Sequence, residues 1–366
     1  MAITLLRVSG FRNLSSIELS PSVGGLNVIY GENGSGKTSL LEAIYCLSHG
    51  RSFRSTVTNT IINHQVDQFS LFAQLINESD NPITIGVERH RNGALRLRTD
   101  KKDAATISEL ASYLPVRMIN PDSYQIVESG PLFRRKYLDW GLFYQNPAFL
   151  PCWRSYERIL KQRNSLLRNK RSRQEIDAWT AELMKYGDEL TQLRQNYVQD
   201  LLPFVQNITH ELLQQSEFTM EYQPGWNSSF TYRDSLDKNF SEDWQFGYTQ
   251  FGPHRAELDI NINGLTARHF LSRGQQKLLI CAIILAQGML LTQATNKRLI
   301  YLVDDLPSEL DEQNKARLIS LLLKQKMQIF ITAIESKWVV DLIDQNVIQD
   351  HPVTVFHVKH GQVSTG

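Results

Sequence analysis

Apolar residues along the chain keep two different rhythms. Near the start they alternate with polar ones, in Ile3–Val8 and Ile17–Leu19, and then run almost unbroken in Leu26–Tyr30, after the turn residues Ser20-Pro21 and Gly24-Gly25. Alternation predicts half-buried strands, and an unbroken run predicts a strand covered on both faces. A helix is predicted from Lys37 to about Leu47. Further strands follow at Leu71–Ile76, Ile83–Glu88 and Ala94–Arg98, the last two joined by the hairpin signal Asn92-Gly93.

From about Pro131 to Gln215 helical spacing takes over, rich in Leu, Arg and Gln and interrupted at Pro147, Pro151 and Pro203. No heptad persists long enough to predict an extended coiled coil. The aromatic, turn-rich stretch Phe218–Gly252 reads as irregular strands and loops. Beyond it the pattern predicts a strand at Asp259–Ile262 and an apolar helix at Ser272–Leu291. Two apolar strands, Arg298–Val303 and Met327–Thr332, then flank a helix near Glu312–Lys324, and Val353–Lys359 is an alternating strand. Strand-and-helix texture at both ends around a helical middle predicts an α/β core built from both termini, with the middle inserted.

Composition narrows the classes. Among 366 residues, 42% are hydrophobic and 21% charged, which excludes a disordered, collagen-like or rod-like chain. Cys46, Cys152 and Cys281 lie far apart, so neither a disulfide framework nor a zinc site is expected, and a reducing cytoplasm is the simplest setting. No apolar core of a signal peptide is evident near Met1. The longest apolar run, Leu278–Ala286, ends at Gln287-Gly288, short of the roughly 20 residues of a membrane span, so no membrane partner is expected.

Candidate chemistry begins with Gly31-Glu32-Asn33-Gly34-Ser35-Gly36-Lys37-Thr38, a GxxxxGK[ST] loop between a predicted strand and a predicted helix. Glycines let successive backbone N–H groups curl toward a phosphate, and the helix start adds a positive dipole end. Lys37 neutralises the β- and γ-phosphates, and Thr38 offers a hydroxyl to Mg²⁺. ATP with Mg²⁺ is the expected cofactor. The strand Leu299–Val303 ends in Asp304-Asp305. An acid at that end of a buried strand suits the metal, which assigns Asp304, and Asp305 is placed to orient or deprotonate an attacking water. In Leu271-Ser272-Arg273-Gly274-Gln275-Gln276-Lys277, Ser272 fits a helix N-cap, while the N–H groups near Gly274 suit an anion equally.

GENGSGKT, LSRGQQK and LIYLVDDLPSELD, in that order, resemble the ATP-binding-cassette (ABC) ATPases. Within that class the chain resembles the RecF family of the SMC-like branch, through Gly10–Leu14, Gly31–Ser55, Asn120–Tyr144, Leu160–Arg168 and Tyr248–Ile260 as well as the late motifs. The resemblance implies an ABC-type head. Lobe I, a mixed α/β sheet core over residues 1–119 and 298–366, holds Walker A, Walker B and the D-loop. A mainly helical lobe II, residues 120–297, carries the signature motif. It also implies that two heads sandwich ATP, with Ser272 and Gly274 contacting the γ-phosphate of the partner head's ATP. Ser308 and Asp311 then occupy the D-loop and Asp305 the catalytic-carboxylate position.

The function implied is that of a cytoplasmic ATP-dependent DNA-binding protein of recombinational gap repair, replication-fork maintenance and SOS induction. It acts with the RecO and RecR proteins as an ATP-dependent homodimer that clamps single-strand/double-strand regions. The chain departs from the class pattern in having Asp305 where Glu is usual, and Ala333-Ile334-Glu335 where a switch histidine is expected. Gln125 is the one candidate for the Q-loop glutamine. Either a weak DNA-stimulated ATPase or a non-hydrolysing, nucleotide-gated scaffold fits, whereas a small-molecule kinase leaves LSRGQQK unexplained.

A near-neutral net charge of +1 hides a basic block. Eleven Lys and Arg face three acids between Pro131 and Glu175. Arg154, Arg158 and Lys161 recur at i, i+4 and i+7 and so share one helix face suited to DNA phosphates, the alternative being a solvated surface. A second basic cluster lies around the hairpin between Arg89 and Lys102. No base-reading motif is evident, so little sequence preference is expected.

Overall fold

The apolar runs form the middle of a parallel sheet. A computed structural model describes the chain apart from residues 78, 101, 215–216, 306–309, 326, 336–347, 349–350 and 366. It divides into two compact units, Met1–Ser123 with Leu291–Gly366, and Tyr124–Leu290.

The first unit opens with β1 (Ala2–Phe11), β2 (Leu14–Leu19), β3 (Leu26–Tyr30) and α1 (Lys37–His49). It continues through β4 (Gln68–Ile76), β5 (Pro82–His90), β6 (Leu95–Thr99), β7 (Lys102–Asp103), α2 (Ile107–Tyr113) and β8 (Val116–Ile119). The alternating strands make an antiparallel sheet in the order β2-β1-β4-β5-β6-β7, and the β5–β6 turn uses Gly93 at φ 91°. The short strand β8 is absent from the sequence expectation.

In the second unit come α3 (Gln125–Glu128), α4 (Pro131–Gln145), α5 (Phe149–Arg168) and the 41-residue α6 (Arg173–Leu213), which starts with a Ser172/Glu175 capping box. After β9 (Phe218–Gln223), the stretch expected as irregular strands and loops contains two helices, α7 (Tyr232–Lys238) and α8 (Phe240–Phe246). Thr231 opens α7 with a second capping box, so local polar chemistry overrides the strand preference of the aromatics. Then β10 (Glu257–Ile262) pairs with β9 and with β11 (Leu265–Thr266), and α9 (Ala267–Phe270) leads into α10 (Arg273–Thr295). By length and composition α10 could span a membrane, yet 72% of its apolar window is buried inside the structure, as befits a core helix.

Back in the first unit, β12 (Ile300–Val303), α11 (Glu312–Lys324), β13 (Gln328–Ala333), β14 (Val353–Lys359) and β15 (Gln362–Thr365) complete the main sheet. Its order is β15-β14-β3-β13-β12-β8, parallel except for β15. All ten residues of β12 and β13 are buried, which explains their lack of alternation. Helix α1 packs against strands of both sheets, so ten of its thirteen residues are buried, Lys37 and Glu42 among them. Adjacent β3, β13 and β12 end together, and the residues that follow them meet at one sheet edge.

Candidate nucleotide-binding site

The loop between β3 and α1 is locked by glycine. A Cβ at Gly31, whose φ is 153°, would lie 2.2 Å from the Val358 carbonyl oxygen, and one at Gly36 would press on Leu14 at 2.9 Å. No side chain caps α1, so its first N–H groups stay available to an anion. Inside the loop, Lys37 Nζ donates to the carbonyl oxygens of Gly31 at 2.7 Å and Glu32 at 3.0 Å. Burial lowers the Lys37 pKa, while the nearby Asp305 and Asp304 carboxylates oppose that shift. Ser35 Oγ is buried without a hydrogen-bond partner, so the loop holds a hydroxyl as well as an ammonium ready for phosphate oxygens.

Asp304 follows β12 and is 8% exposed. Its Oδ1 accepts from Thr38 Oγ1 at 3.1 Å and from Thr332 Oγ1, on β13, at 2.9 Å. Burial pushes its carboxyl above the usual range, and Asp305 adds to that, whereas the two hydroxyls and Arg54 pull it back. One buried carboxylate beside one hydroxyl next to a phosphate loop is a fitting donor set for Mg²⁺, which takes few protein ligands and completes its shell with phosphate and water. No cluster of three or more His, Cys, Asp or Glu able to hold a metal occurs among the described residues. Asp305 takes the left-handed φ of 54°, its N–H donates to Thr332 Oγ1 at 2.9 Å, and it lines the cleft over the loop. Thr332 therefore organises both acids at the strand end where the sequence lacks a switch histidine.

That cleft has a volume of about 710 Å³ and is edged by Arg12, Arg54, His64 and Arg91. Arg12 makes a two-pronged pair with the buried Glu42 of α1, at 3.0 and 2.7 Å. Asn13 Nδ2 donates to the carbonyl oxygens of Gly34 and Ser35, both at 3.2 Å, and its Oδ1 accepts from Ser39 Oγ at 2.9 Å. From the C-terminal hairpin, Gly361 N–H also donates to Ser35 O at 2.9 Å. Arg12 and Asn13 sit in the Gly10–Leu14 stretch, a signal visible in the sequence, but their bracing role depends on contacts that sequence spacing does not carry.

The remaining expected residues lie elsewhere. Ser272 and Gly274 belong to the second unit, where both are exposed. Ser272 caps α10, its Oγ accepting from Gln275 N–H at 3.3 Å while Gln275 Oε1 accepts from Ser272 N–H at 3.0 Å. Gly274 has open space where a side chain would stand. Asp311 caps α11 through Asn314 N–H at 2.8 Å, and these hydrogen bonds hold its carboxyl below the usual range. Ser308 lies outside the described residues. Gln125, the Q-loop candidate, begins α3.

A model of the RecF/RecN/SMC N-terminal domain matches residues 2–362. The DNA replication and repair proteins RecF of Shewanella frigidimarina and Shewanella denitrificans are each 42% identical over 364 residues, covering 100% of this chain and 99% of theirs. The chain belongs to the RecF family. Among solved structures it is similar to the recombination mediator protein RecF of the RecFOR pathway in two forms. RecF-ATPrS has a TM-score of 0.86 at 25% identity, covering 99% of this chain and 97% of that one. RecF-ATP has 0.85 at 25%, covering 100% and 97%. The SmcHead bound to the C-winged helix domain of ScpA shares the fold at a TM-score of 0.61 and 15% identity, covering 100% and 97%. The structure is thus an α/β ABC-type head.

In this RecF-family chain Arg154, Arg158 and Lys161 are all exposed on α5. The basic block is not uniform. Arg163 is fully buried, bonded to Asp243 at 2.7 Å and to Thr249 at 2.6 Å, and Arg134 makes a two-pronged pair with Glu257. Around the hairpin, Arg96 and Arg98 face Asp103 at 3.3 and 3.5 Å, and Arg91 donates to the carbonyls of Val66 and Asn63. Arg163 and Arg134 serve the fold, and the hairpin arginines already have partners, whereas the α5 residues form one exposed basic face.

Proposed function

We propose that this protein is an ATP-dependent DNA-binding protein of recombinational gap repair, replication-fork maintenance and SOS induction, working in the cytoplasm. The observation that carries the reading is the Thr38–Asp304–Thr332 cluster beside the glycine loop, a prebuilt site for a triphosphate and its metal. RecF relatives that match the full chain, among them the RecF-ATP structure, support ATP as the ligand.

In this reading the loop N–H groups, Ser35 Oγ and Lys37 hold the phosphates, and Lys37 exchanges its two loop carbonyls for phosphate oxygens. Thr38 and Asp304 hold Mg²⁺, which supplies charge neutralisation on the triphosphate when bound. The units Met1–Ser123 with Leu291–Gly366 and Tyr124–Leu290 serve as lobes I and II. Ser272 and the bare Gly274 N–H present an open surface to the γ-phosphate held by a second copy, with Ser308 and Asp311 at the same interface. Gly274 has no side chain and open space around its Cβ position in the first turn of α10, which allows close approach of a ligand. ATP then links two copies, and nucleotide state controls association.

Asp305 orients or deprotonates the water that attacks the γ-phosphate. It is a methylene shorter than Glu and has Thr332 rather than histidine beside it, so slow turnover is expected and a non-hydrolysing gate is the second reading. The dimer clamps single-strand/double-strand DNA through Arg154, Arg158 and Lys161 with little sequence preference, and RecO and RecR are its partners. Light scattering with and without ATP and Mg²⁺ tests the central step. The mass doubles with nucleotide, and Ser272→Arg abolishes that doubling while ATP binding persists. A monomer under saturating ATP rejects the sandwich.

A further inference from the structure

The loop Gly247–Arg255 is held from within with unusual thoroughness. Thr249 is fully buried. Its Oγ1 accepts from Arg163 at 2.6 Å and donates to Asn164 Oδ1 at 2.7 Å, while its N–H donates to the same Asn164 oxygen at 2.8 Å. His254 Nε2–H donates to Thr249 O at 3.1 Å, and Tyr156 OH donates to His254 Nδ1 at 2.7 Å. Arg194 donates to Pro253 O at 2.7 Å and Gln250 N–H to Asp243 at 2.8 Å.

This framework sends other side chains outward. Phe246 is 58% and Tyr248 38% exposed, their ring centroids 6.3 Å apart, and the exposed Arg255 guanidinium stands 5.9 Å from the Tyr248 ring. More than half of the Phe246 ring stays in water, so it contributes less to the fold than a buried Phe would. Gly247 lies against the end of α5, where a Cβ would be 3.4 Å from Arg168 Cα. Arg154, Arg158, Lys161 and Arg168 are exposed at positions that keep one helix face over about 21 Å, and Lys170 and Arg171 extend the charge past it. The nearby Asp243 is neutralised by Arg163, which leaves Glu242, one turn before Phe246, as the exposed acid on α8.

We propose that Phe246, Tyr248 and Arg255 form a base-stacking site for single-stranded nucleic acid, placed where the basic face of α5 runs out. The inference rests on the reading of α5 as a phosphate-binding face. Outward rings flanked by arginines suit splayed bases of any sequence, whereas paired bases are stacked on each other and cannot use them. The backbone crosses Arg168 and reaches the rings as it leaves the duplex.

Anisotropy of an oligothymidine of about 20 nucleotides and of a duplex of equal length, each with ATP-loaded full-length protein, tests this. Phe246→Ala weakens single-strand binding about tenfold, changes duplex binding less than twofold, and leaves the salt slope unaltered because no phosphate contact is lost. Phe246→Trp restores binding, and Glu242→Gln strengthens it. Equal weakening of both ligands, no effect on either, or no oligothymidine binding by the wild type overturns the proposal. Should the triple change Arg154→Ala, Arg158→Ala, Lys161→Ala leave both affinities intact while Phe246→Ala still discriminates, the α5 reading fails and the stacking site stands.

Discussion

Thr38 Oγ1 donates to Asp304 Oδ1 across 3.1 Å although 266 positions separate them in the chain. The bond joins the phosphate loop to the end of β12, and it keeps a buried carboxylate in place before any cation reaches it. Burial raises the Asp304 pKa, so its ionised form opposes the nucleotide-free fold. The associated stability is complete below the unfolded value, about pH 4, and declines as pH rises through the raised folded value. Asp304→Asn keeps an acceptor for Thr38 and Thr332 while removing the charge. Its melting temperature without nucleotide equals or exceeds that of the wild type at pH 7.5, and the increase on adding ATP with Mg²⁺ disappears. A variant that melts lower and still gains stability from ATP with Mg²⁺ refutes the metal role.

Phosphate release separates the two readings of Asp305. With gapped DNA present, Asp305→Asn falls at least about tenfold, roughly 1.4 kcal/mol of barrier, but binds ATP normally. Lys37→Ala instead loses nucleotide, about 2–3 kcal/mol of charged hydrogen bonding or roughly 100-fold in affinity. Identical rates in wild type, Lys37→Arg and Asp305→Asn leave the nucleotide-gated scaffold as the answer.

Arginines of the basic block divide by partner. Changing Arg154, Arg158 and Lys161 together to Ala lowers duplex affinity and reduces the log-log salt slope by about 2.7, three phosphates at 0.9 each, with stability changed by no more than about 0.5 kcal/mol each. Arg163→Ala does the opposite to the fold. It strands Asp243 in the interior and costs about 3–5 kcal/mol in urea unfolding. Comparable stability losses in both variants contradict this division.

Two half-buried histidines resist protonation in the folded chain. Burial lowers His254 to about 4 and His49 to about 3. Depressed values mean that the folded chain refuses protons that the unfolded chain accepts, so their contribution is present above about pH 6.5 and is lost as pH falls toward 4. Denaturation at pH 7, 6, 5 and 4 shows a decline approaching about 1.4 kcal/mol per pH unit for each histidine. His254→Gln removes one share of that slope. A variant as acid-sensitive as the wild type rejects the assignment.

The phosphate loop was legible because its chemistry needs contiguous residues, and β12 because a buried parallel strand leaves an unbroken apolar run ending in acids. The α/β order followed from the same rhythm. Thr332 was not legible, since its tie to Asp304 needs β13 beside β12, and nor was Asn13, whose three contacts all lie outside its own segment. Helix α8 was hidden by its aromatics. Arg163 belongs to the same basic block by count, but five positions turn it about 140° from Arg158, and its burial against Asp243, 80 residues on, is not carried by local spacing.

Ser35 O accepts from Asn13 on one side and from Gly361 N–H on the other. The loop is made early during translation, yet Asp304, Thr332 and Gly361 emerge far later, at an elongation rate of about 5–20 residues per second. For most of its synthesis the nascent chain therefore displays the phosphate motif without the surroundings that complete it. A polypeptide that stops before β12 carries Thr38 without the Asp304 acceptor it meets in the finished fold.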